Sequence, residues 1–360
     1  MNVRSLLCCA TLVVCAAFSV DADTESERVA LGRFVNGDLQ VGPKMDARGQ
    51  HLRDSEFVAL DLTGADFSDC DLAGVTFKQC VLRHAKFVSS SMTDAVILDC
   101  DIIGADFTDA VVNGMKPVRK NPDTLLSEEQ LITTHSYKTK DLRDCNISGM
   151  GSGKLPPNYD FRGANLIGAK LSFGSFTRSD FTGAEISGMT LCRCRIHFEQ
   201  LQETLSYSKR RGLTDVEFSG VKFFPDFSSL SLRRAKFYGV RDDVSFADSD
   251  ITDCSFAYQL NWQQLAKTKN AKRGDLTNML FNKIDFEHAD LSRMNLTGTD
   301  FSGSKFSGAN LTDAVITKTD FGNAEGLTRQ QIESTWNFKQ SRMEHCILPD
   351  DLAKEMLRTD

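Results

Sequence analysis

Several groups of residues in this chain have the types and spacing that chemistry needs. GSGK, Gly151 to Lys154, carries the glycines and lysine of a phosphate-cradling loop. A hydroxyl should follow that lysine to hold magnesium, but Leu155 stands there, and Ser148 replaces the motif's first glycine. The stretch therefore reads as a loop insertion. Cys192 and Cys194 suggest a metal or redox pair, yet one residue between them is short of the usual two, and no second pair accompanies them. Asn146, Asn295 and Asn310 each open an N-x-S/T sequon. The six histidines (His51, His84, His135, His197, His288, His345) are scattered, and no Ser–His–Asp grouping or paired carboxylates can be placed among them. Three cationic runs remain: Lys209, Arg210 and Arg211; Lys267, Lys269, Lys272 and Arg273; Lys339 and Arg342. These could form part of a contact surface for a partner. No catalytic group, cofactor site or metal site emerges, so the expectation is a protein that is not an enzyme and carries no cofactor. The net charge of −7 is mild for 360 residues and indicates neither nucleic-acid binding nor extreme acidity.

The elements that must position these residues follow a strict period. Every fifth residue from Leu52 to Val112 is bulky and apolar: Leu52, Phe57, Leu62, Phe67 and onward. Two places before most of these centres (i) stands something small, such as Ser55, Ala65, Cys70, Cys80 or Ala85. A helix needs its apolar face every 3.6 residues and a strand every two, so a sustained five fits neither. Short extended pieces separated by turns satisfy it, with i−2 and i inward and i−1, i+1 and i+2 facing water. Asp61, Asp66, Asp71, Asp101 and Asp106 fall at i−1, and Gly64, Gly74 and Gly104 at i+2. The three sequons are then i−1 asparagines of repeats, and most of the 25 Phe are core. Burying one Leu or Phe contributes about 1.5 to 3 kcal/mol, against about 5 to 10 for ordering five residues, so single repeats cannot stand alone. Stacked coils must stabilise one another.

The phrases GADF from Gly64, RGANLIGAKL from Arg162 and SGANLTDAVI from Ser307 resemble the A(D/N)LXX signature of pentapeptide-repeat proteins. That resemblance implies an all-β fold, a right-handed quadrilateral β-helix with about four pentapeptides per coil. The register resumes from Leu142, from Phe161, from Leu213 and from Leu276, and is least regular near Phe223 to Phe227 and Phe237 to Phe246. The domain map expected is a leader at 1–22, an N-terminal cap at 23–51, repeats over 52–348, and a C-terminal cap at 349–360. In that last cap Leu352 and Met356 would share one helix face. Of the cysteines beyond the leader, only Cys192 leaves the small inward slot. Cys80 and Cys100 would stack on adjacent coils within disulfide reach, but side chains in register point the same way, which favours free thiols.

Four interruptions share a motif of their own: QLITTHSYK from Gln130, QLQETLSYS from Gln200, QLAKTKNAK from Gln264 and QIESTWNFK from Gln331. Three residues earlier stand Ser127, His197, Asn261 and Thr328, preceded by Leu126, Ile196, Leu260 and Leu327, a capping-box and hydrophobic-staple pattern in which His197 is the weak member. Short helical insertions are predicted near 125–140, 197–211, 260–273 and 327–341, at corners of one continuous solenoid. The motif also resembles the LTxxQLxxTxxY segment of large exported bacterial members of the family. Aligned, the helices would set Lys209, Arg210, Arg211, Lys267, Lys269, Lys272 and Arg273 into a basic ridge. The plainer reading is solvated charge complementing helix C-termini.

Arg4, the apolar run Leu6 to Val20 and small residues at Ala16, Ala17 and Ala22 read as a secretory signal, cut after Ala22 or Ala17. A lipoprotein modified at Cys15 is the lesser alternative, since Val14 is large where a small residue belongs. The expectation is an exported, periplasmic or extracellular, non-catalytic rod without a membrane span, presenting a surface to a protein or a cell-envelope polysaccharide, with a homodimer through a terminal coil conceivable. A β-helix enzyme acting on polysaccharide would need loop-borne acid and base clusters. A DNA mimic binding a topoisomerase, as the resemblance also allows, would need denser acid on one face.

Overall fold

The computed structural model describes residues 13–15, 32–33, 40–118, 126–147, 158–221, 226–239, 244–257, 260–343 and 345–357. Most of the expected leader and N-terminal cap, the GSGK segment and Phe223 lie outside them. The chain divides into two compact units, Met1–Ser179 and Asp180–Asp360.

In the first unit the period of five closes into coils of twenty. Parallel bridges join Asp46 to Asp66, Lys86 and Asp106; His51 to Asp71, Ser91 and Val111; and Asp61 to Val81 and Asp101. The fourth face is a parallel ladder of three-residue strands, Glu56–Val58, Thr76–Lys78, Val96–Leu98 and Lys116–Val118. Four faces per coil are therefore observed. The ladder begins below Leu52: Asp46 already bridges Asp66, Lys44 N–H donates to Thr63 O at 2.8 Å, and Val41, Met45 and Ala47 are buried.

Centres and i−2 residues point inward as the period requires; Phe57, Phe67, Phe77, Leu62, Ala65 and Ala85 are fully buried. The phenylalanines form two columns. Phe57 and Phe77 stack at 4.9 Å, Phe67 and Phe87 at 5.3 Å, and the columns meet edge to face, as Phe67 meets Phe77 at 5.5 Å. Stacked and T-shaped pairs at this range add to the stabilisation from area burial.

The i−1 carboxylates have a local task. Asp61 Oδ1 accepts from Thr63 N–H at 2.9 Å, Asp66 Oδ1 from Ser68 N–H at 3.1 Å and Asp106 Oδ1 from Thr108 N–H at 2.9 Å. Each is an Asx turn that pairs the i+1 amide, which the ladder leaves over, and a hydrophobic residue could not replace it. The Asp66–Lys86 contact at 3.6 Å exists as well, but between half-exposed groups it contributes little. The i+2 residue takes positive φ, which favours glycine. His84 and His288 sit there at φ 55° and 56°, and each covers the glycine one coil on, so a Cβ at Gly104 or Gly308 would lie 2.5 Å from the imidazole Nδ1.

The second unit repeats this plan with a longer rhythm. Its parallel ladder runs through Thr190–Cys192, Glu217–Ser219, Lys236–Tyr238, Ser255–Ala257 and Leu280–Asn282, then through bridges from Leu280 to Asp300, Asp320 and Ile347. Phe218, Phe237 and Phe256 follow one another at 19 residues, which accounts for the irregular spacing in the sequence. The coil lengthens to 27 residues from Leu191 to Phe218, 25 from Phe256 to Phe281 and 27 from Asp320 to Ile347. Every third coil is thus enlarged, and each enlarged coil holds one of the predicted insertions.

Those insertions are pairs of helices rather than single ones. They are α1 Glu128–Thr133 with α2 His135–Lys138, α3 Phe198–Gln202 with α4 Leu205–Ser208, α5 Trp262–Leu265 with α6 Lys269–Lys272, and α7 Arg329–Glu333 with α8 Trp336–Lys339. The first pair belongs to the first unit, the other three to the second. A final helix, α9 Asp350–Leu357, buries Leu352, and Met356 is half-buried.

Candidate functional site

The helix pairs are the departures from a uniform coil, and their chemistry starts with a threonine the sequence reading passed over. Thr134, Thr204, Thr268 and Thr335 each join the two helices of a pair and are wholly buried. Each hydroxyl donates back to the first helix, to Leu131 O, Leu201 O, Leu265 O and Ile332 O at 2.6–2.7 Å. Each also caps the second, accepting from the N–H of Tyr137, Tyr207, Ala271 or Phe338 at 3.1–3.3 Å. One side chain so ends one helix and begins the next. That break is why a single helix fails here.

Around the threonine the backbone still makes rungs of the ladder. The residue before it accepts from the preceding coil (Asp109 N to Thr133 O, Gly183 N to Glu203 O, Asp248 N to Lys267 O, Asp313 N to Ser334 O) at 2.9–3.0 Å. The residue after it donates to that coil (His135 N to Ala110 O, Leu205 N to Ala184 O, Lys269 N to Ser249 O, Trp336 N to Ala314 O) at 2.8–3.0 Å. The helices miss other rungs, and side chains supply them. The residue two after the threonine accepts from an otherwise stranded centre amide: Ser136 from Val112, Ser206 from Ile186, Asn270 from Ile251 and Asn337 from Ile316, at 2.7–3.0 Å. The motif glutamine serves the opposite need, Gln130 Nε2 donating to Ile102 O and Ala105 O, Gln264 Nε2 to Val244 O, and Gln331 Nε2 to Phe306 O and Ala309 O. A buried amide without a partner costs about 1 to 3 kcal/mol, which is why these positions hold polar side chains. The signal was in the sequence, as Gln, then Thr four residues on, then Ser or Asn two further.

The predicted helix starts are present. The glutamine Oε1 reaches back to the backbone N–H of Ser127, His197, Asn261 and Thr328 at 2.7–3.2 Å. Leu126, Ile196 and Leu260 are buried beside their partners at the fourth position, whereas Leu327 is only half-buried.

The basic residues divide into two sets. Lys272 Nζ pairs with Asp248 at 2.7 Å, Lys339 with Asp313 at 2.7 Å and Lys138 with Asp109 at 2.7 Å, each gripping an acid of the preceding coil. Those bonds hold the Asp248 and Asp313 carboxyls below the usual carboxylate range. Arg210 meets Glu185, an i−1 carboxylate that α4 has covered. Burial alone would raise Glu185, but donors from Ser206 and Ser187 and the Arg210 charge outweigh it and leave it lowered from 4.5. Arg211 lies 5.4 Å over the Tyr207 ring and donates to Ser228 O at 3.2 Å, while Arg342 lies 5.7 Å over Trp336. Against these stand Lys209, Lys267, Lys269 and Arg273, all exposed, whose side chains form no hydrogen bond or ion pair among the described residues. Of the predicted ridge, then, Arg210, Arg211 and Lys272 are engaged within the fold and four cations are not. All four belong to the second unit. Its three helix pairs occupy the same corner, since Ile186, Ile251 and Ile316 each lie five residues before a centre of one ladder, Leu191, Phe256 and Phe321. Three coils separate successive pairs, about 14 Å at the spacing of adjacent strands.

Glu185 gives a pH-dependent expectation. A carboxyl with a lowered folded pKa contributes stability above its unfolded value near 4.5, lost as pH falls through the folded value. Thermal unfolding of wild type and Glu185→Gln should differ by several degrees at pH 7 and converge as the pH falls below 4.5 and through the folded value. Equal melting temperatures at pH 7 would show that the Arg210 pair contributes nothing.

The other candidates resolve into structure. Cys80 and Cys100 each direct the thiol to a carbonyl of the preceding coil, Phe57 O and Phe77 O, at 3.3 Å. Burial pushes the Cys70 thiol up to about 11 and those of Cys145, Cys194 and Cys346 to about 12, so they stay protonated at neutral pH. Cys192 is half-buried. Among the described residues no group of three or more His, Cys, Asp or Glu could hold a metal ion, and no helix is long and apolar enough to cross a membrane.

A match to a known family agrees with this architecture. The family model for pentapeptide repeats matches in eight copies, over 46–114 (as 46–79, 61–97 and 77–114), 160–197 and 275–325 (as 275–307 and 295–325). Similar solved structures include HetL, a pentapeptide repeat protein involved in heterocyst differentiation regulation from Nostoc sp. strain PCC 7120, at 15% identity and a TM-score of 0.16, covering 86% of this chain and 89% of that one. QnrB1, a plasmid-mediated fluoroquinolone resistance protein, is similar at 12% identity and a TM-score of 0.20, covering 87% and 97%. A pentapeptide repeat protein from the Arabidopsis thaliana thylakoid lumen is 23% identical with a TM-score of 0.11, covering 40% and 70%. These likenesses carry no weight for function. Among curated proteins nothing matches.

Proposed function

The chain belongs to the pentapeptide-repeat family, and on that premise we propose that it is an exported, non-catalytic binding solenoid that presents the helix-pair corner of residues 180–360 to a partner in the cell envelope. One observation carries this reading. Six basic residues at the helix pairs of this unit are consumed by the fold, whereas the side chains of Lys209, Lys267, Lys269 and Arg273 form no ion pair or hydrogen bond among the described residues. A purely structural role would need only the first set. Departures from a regular scaffold are also where recognition tends to reside. The leader expected at residues 1–22 supplies the route out of the cytoplasm.

The experiment is capture from cell-envelope extract on immobilised protein, comparing wild type with Lys209→Glu/Lys267→Glu/Lys269→Glu/Arg273→Glu. Arg210 is left intact because reversing it would set two negative charges together at Glu185 and unfold the corner for an unrelated reason. We expect the variant to keep its circular dichroism spectrum and to lose most of the captured material. Undiminished capture would dispose of the proposed face.

A further inference from the structure

Resting on that binding face, we infer that its ligand is an anionic polysaccharide, a chain of sugars bearing carboxylates. The sign comes first. Of the cations at the corner, four are already matched one to one with an acid, Lys272 with Asp248, Lys339 with Asp313, Arg210 with Glu185 and Arg329 with Glu333. Arg211 and Arg342 lie over aromatic rings, and the last four are surplus on a chain whose net charge is −7, so the corner carries an excess of positive charge that an acidic ligand would find.

The chemistry of the rest of the corner separates a polysaccharide from a protein. Specific protein interfaces are built around buried aromatic or aliphatic anchors. The exposed large apolar side chains among the described residues are Ile103, Ile132, Ile167, Phe173, Leu280, Ile347 and Leu357, and none lies in 198–211, 262–273 or 329–342. What the second unit's helix pairs do expose, beside the cations and the two carboxylates Glu199 and Glu203, are amides and hydroxyls such as Gln202, Gln263 and Ser208. Such groups exchange hydrogen bonds with sugar hydroxyls at little cost, and water can bridge the gaps. Charge density points the same way. Duplex DNA carries a charge every ~1.7 Å, far denser than four cations spread over a corner whose successive pairs are about 14 Å apart. A polymer with one carboxylate per sugar is the closer match. The surplus set holds three lysines and one arginine, and lysine, a point charge on a flexible stem, follows a hydrated chain without demanding a fixed bidentate geometry.

The test uses the purified full-length protein and polygalacturonate as probe, with binding followed by affinity electrophoresis in about 0.05 and 0.2 M NaCl. Wild type should bind, about tenfold more weakly at the higher salt, as expected for a few ion pairs to a chain less densely charged than DNA. Lys209→Gln/Lys267→Gln/Lys269→Gln/Arg273→Gln should bind at least tenfold more weakly than wild type. An equal loss of charge at exposed lysines outside the helix pairs (Lys78→Gln/Lys116→Gln/Lys170→Gln/Lys305→Gln) should leave binding within about twofold. Poly-glutamate and duplex DNA serve as competing polyanions. Failure of wild type to bind at low salt, equal losses in both quadruple variants, or preference for either competitor would overturn the polysaccharide assignment. Should envelope capture depend on the four cations while polygalacturonate fails to bind, the ligand class falls and the face stands. Should capture be indifferent to them, the face itself falls.

Discussion

Replacing Phe281 with alanine should lower the stability of the 180–360 unit by about 4 kcal/mol, the range found when large core aromatics are truncated. Phe281 is fully buried. It stacks on Phe256 at 5.7 Å and on Phe301 at 5.6 Å and meets Phe286 edge to face at 5.5 Å, so one deletion removes contacts to two neighbouring coils and an adjoining face. The cavity would open between coils tied by backbone bonds, Phe281 N–H to Asp300 O at 2.7 Å among them, and such a ladder cannot collapse inward to fill it. Because each coil is stabilised only by its neighbours, the loss should spread along the unit. Urea unfolding followed by circular dichroism checks this. Ser292→Ala, at an outward i+1 position, should move the midpoint by less than about 0.5 kcal/mol equivalent. A midpoint for Phe281→Ala no lower than that control's would mean that the phenylalanine columns do not hold the coils together.

Asn337→Leu should cost about 3 kcal/mol, although leucine is close in size and the site is apolar on one side. Asn337 is buried, and each of its polar atoms is used: Oδ1 accepts from Ile316 N–H at 2.7 Å, and Nδ2 donates to Thr317 Oγ1 at 2.9 Å and Arg342 O at 3.0 Å. Leucine would strand the buried Ile316 amide and take a donor from the Arg342 carbonyl. Thr335→Val should act in the same direction, since it takes the Thr335 hydroxyl from the Phe338 amide, while Ile332 O keeps the Thr335 N–H at 3.1 Å. The gain in hydrophobicity in both variants is smaller than the cost of the backbone amide left unmet. A stability equal to wild type for Asn337→Leu would show that water or a local shift meets the need.

The period of five made the solenoid legible because it is dictated by the core alone. Phe67, Phe107 and Phe286 had to face inward if the pattern meant anything, and all three are fully buried. Even the slips near Phe227 and Phe246 correspond to real coils of 19 residues. Helix starts at Ser127, Asn261 and Thr328 were also legible, since a capping box is local chemistry written within four residues. The break after each first turn was not. Thr134, Thr204, Thr268 and Thr335 look like ordinary surface threonines until their hydroxyls are found between two helices, and the pairing of Ser136 with Val112 spans 24 residues. Long-range pairings of that kind leave no periodic trace. The same limit applied to the cations. As a sequence, Lys209, Arg210 and Arg211 form one run, but the fold assigns Arg210 to Glu185 and Arg211 to Tyr207 and leaves Lys209 outward. The acids that do the sorting, Glu185, Asp248 and Asp313, lie 24 to 26 residues from their partners, as Lys272 from Asp248 and Lys339 from Asp313.

A helix pair that completes the ladder through its own side chains explains how the coil can be interrupted every third turn without losing its neighbours. The cations that the ladder does not use are those that the proposed ligand would meet. Amide hydrogen exchange at Ile316 tests this most directly. In wild type that amide should be protected as strongly as Leu296, whose N–H donates to Val315 O at 2.8 Å within the uninterrupted ladder. In Asn337→Leu its protection should fall by orders of magnitude while Leu296 keeps most of its own. Exchange of Ile316 at the rate of an open loop in wild type, or no change in the variant, would contradict the account.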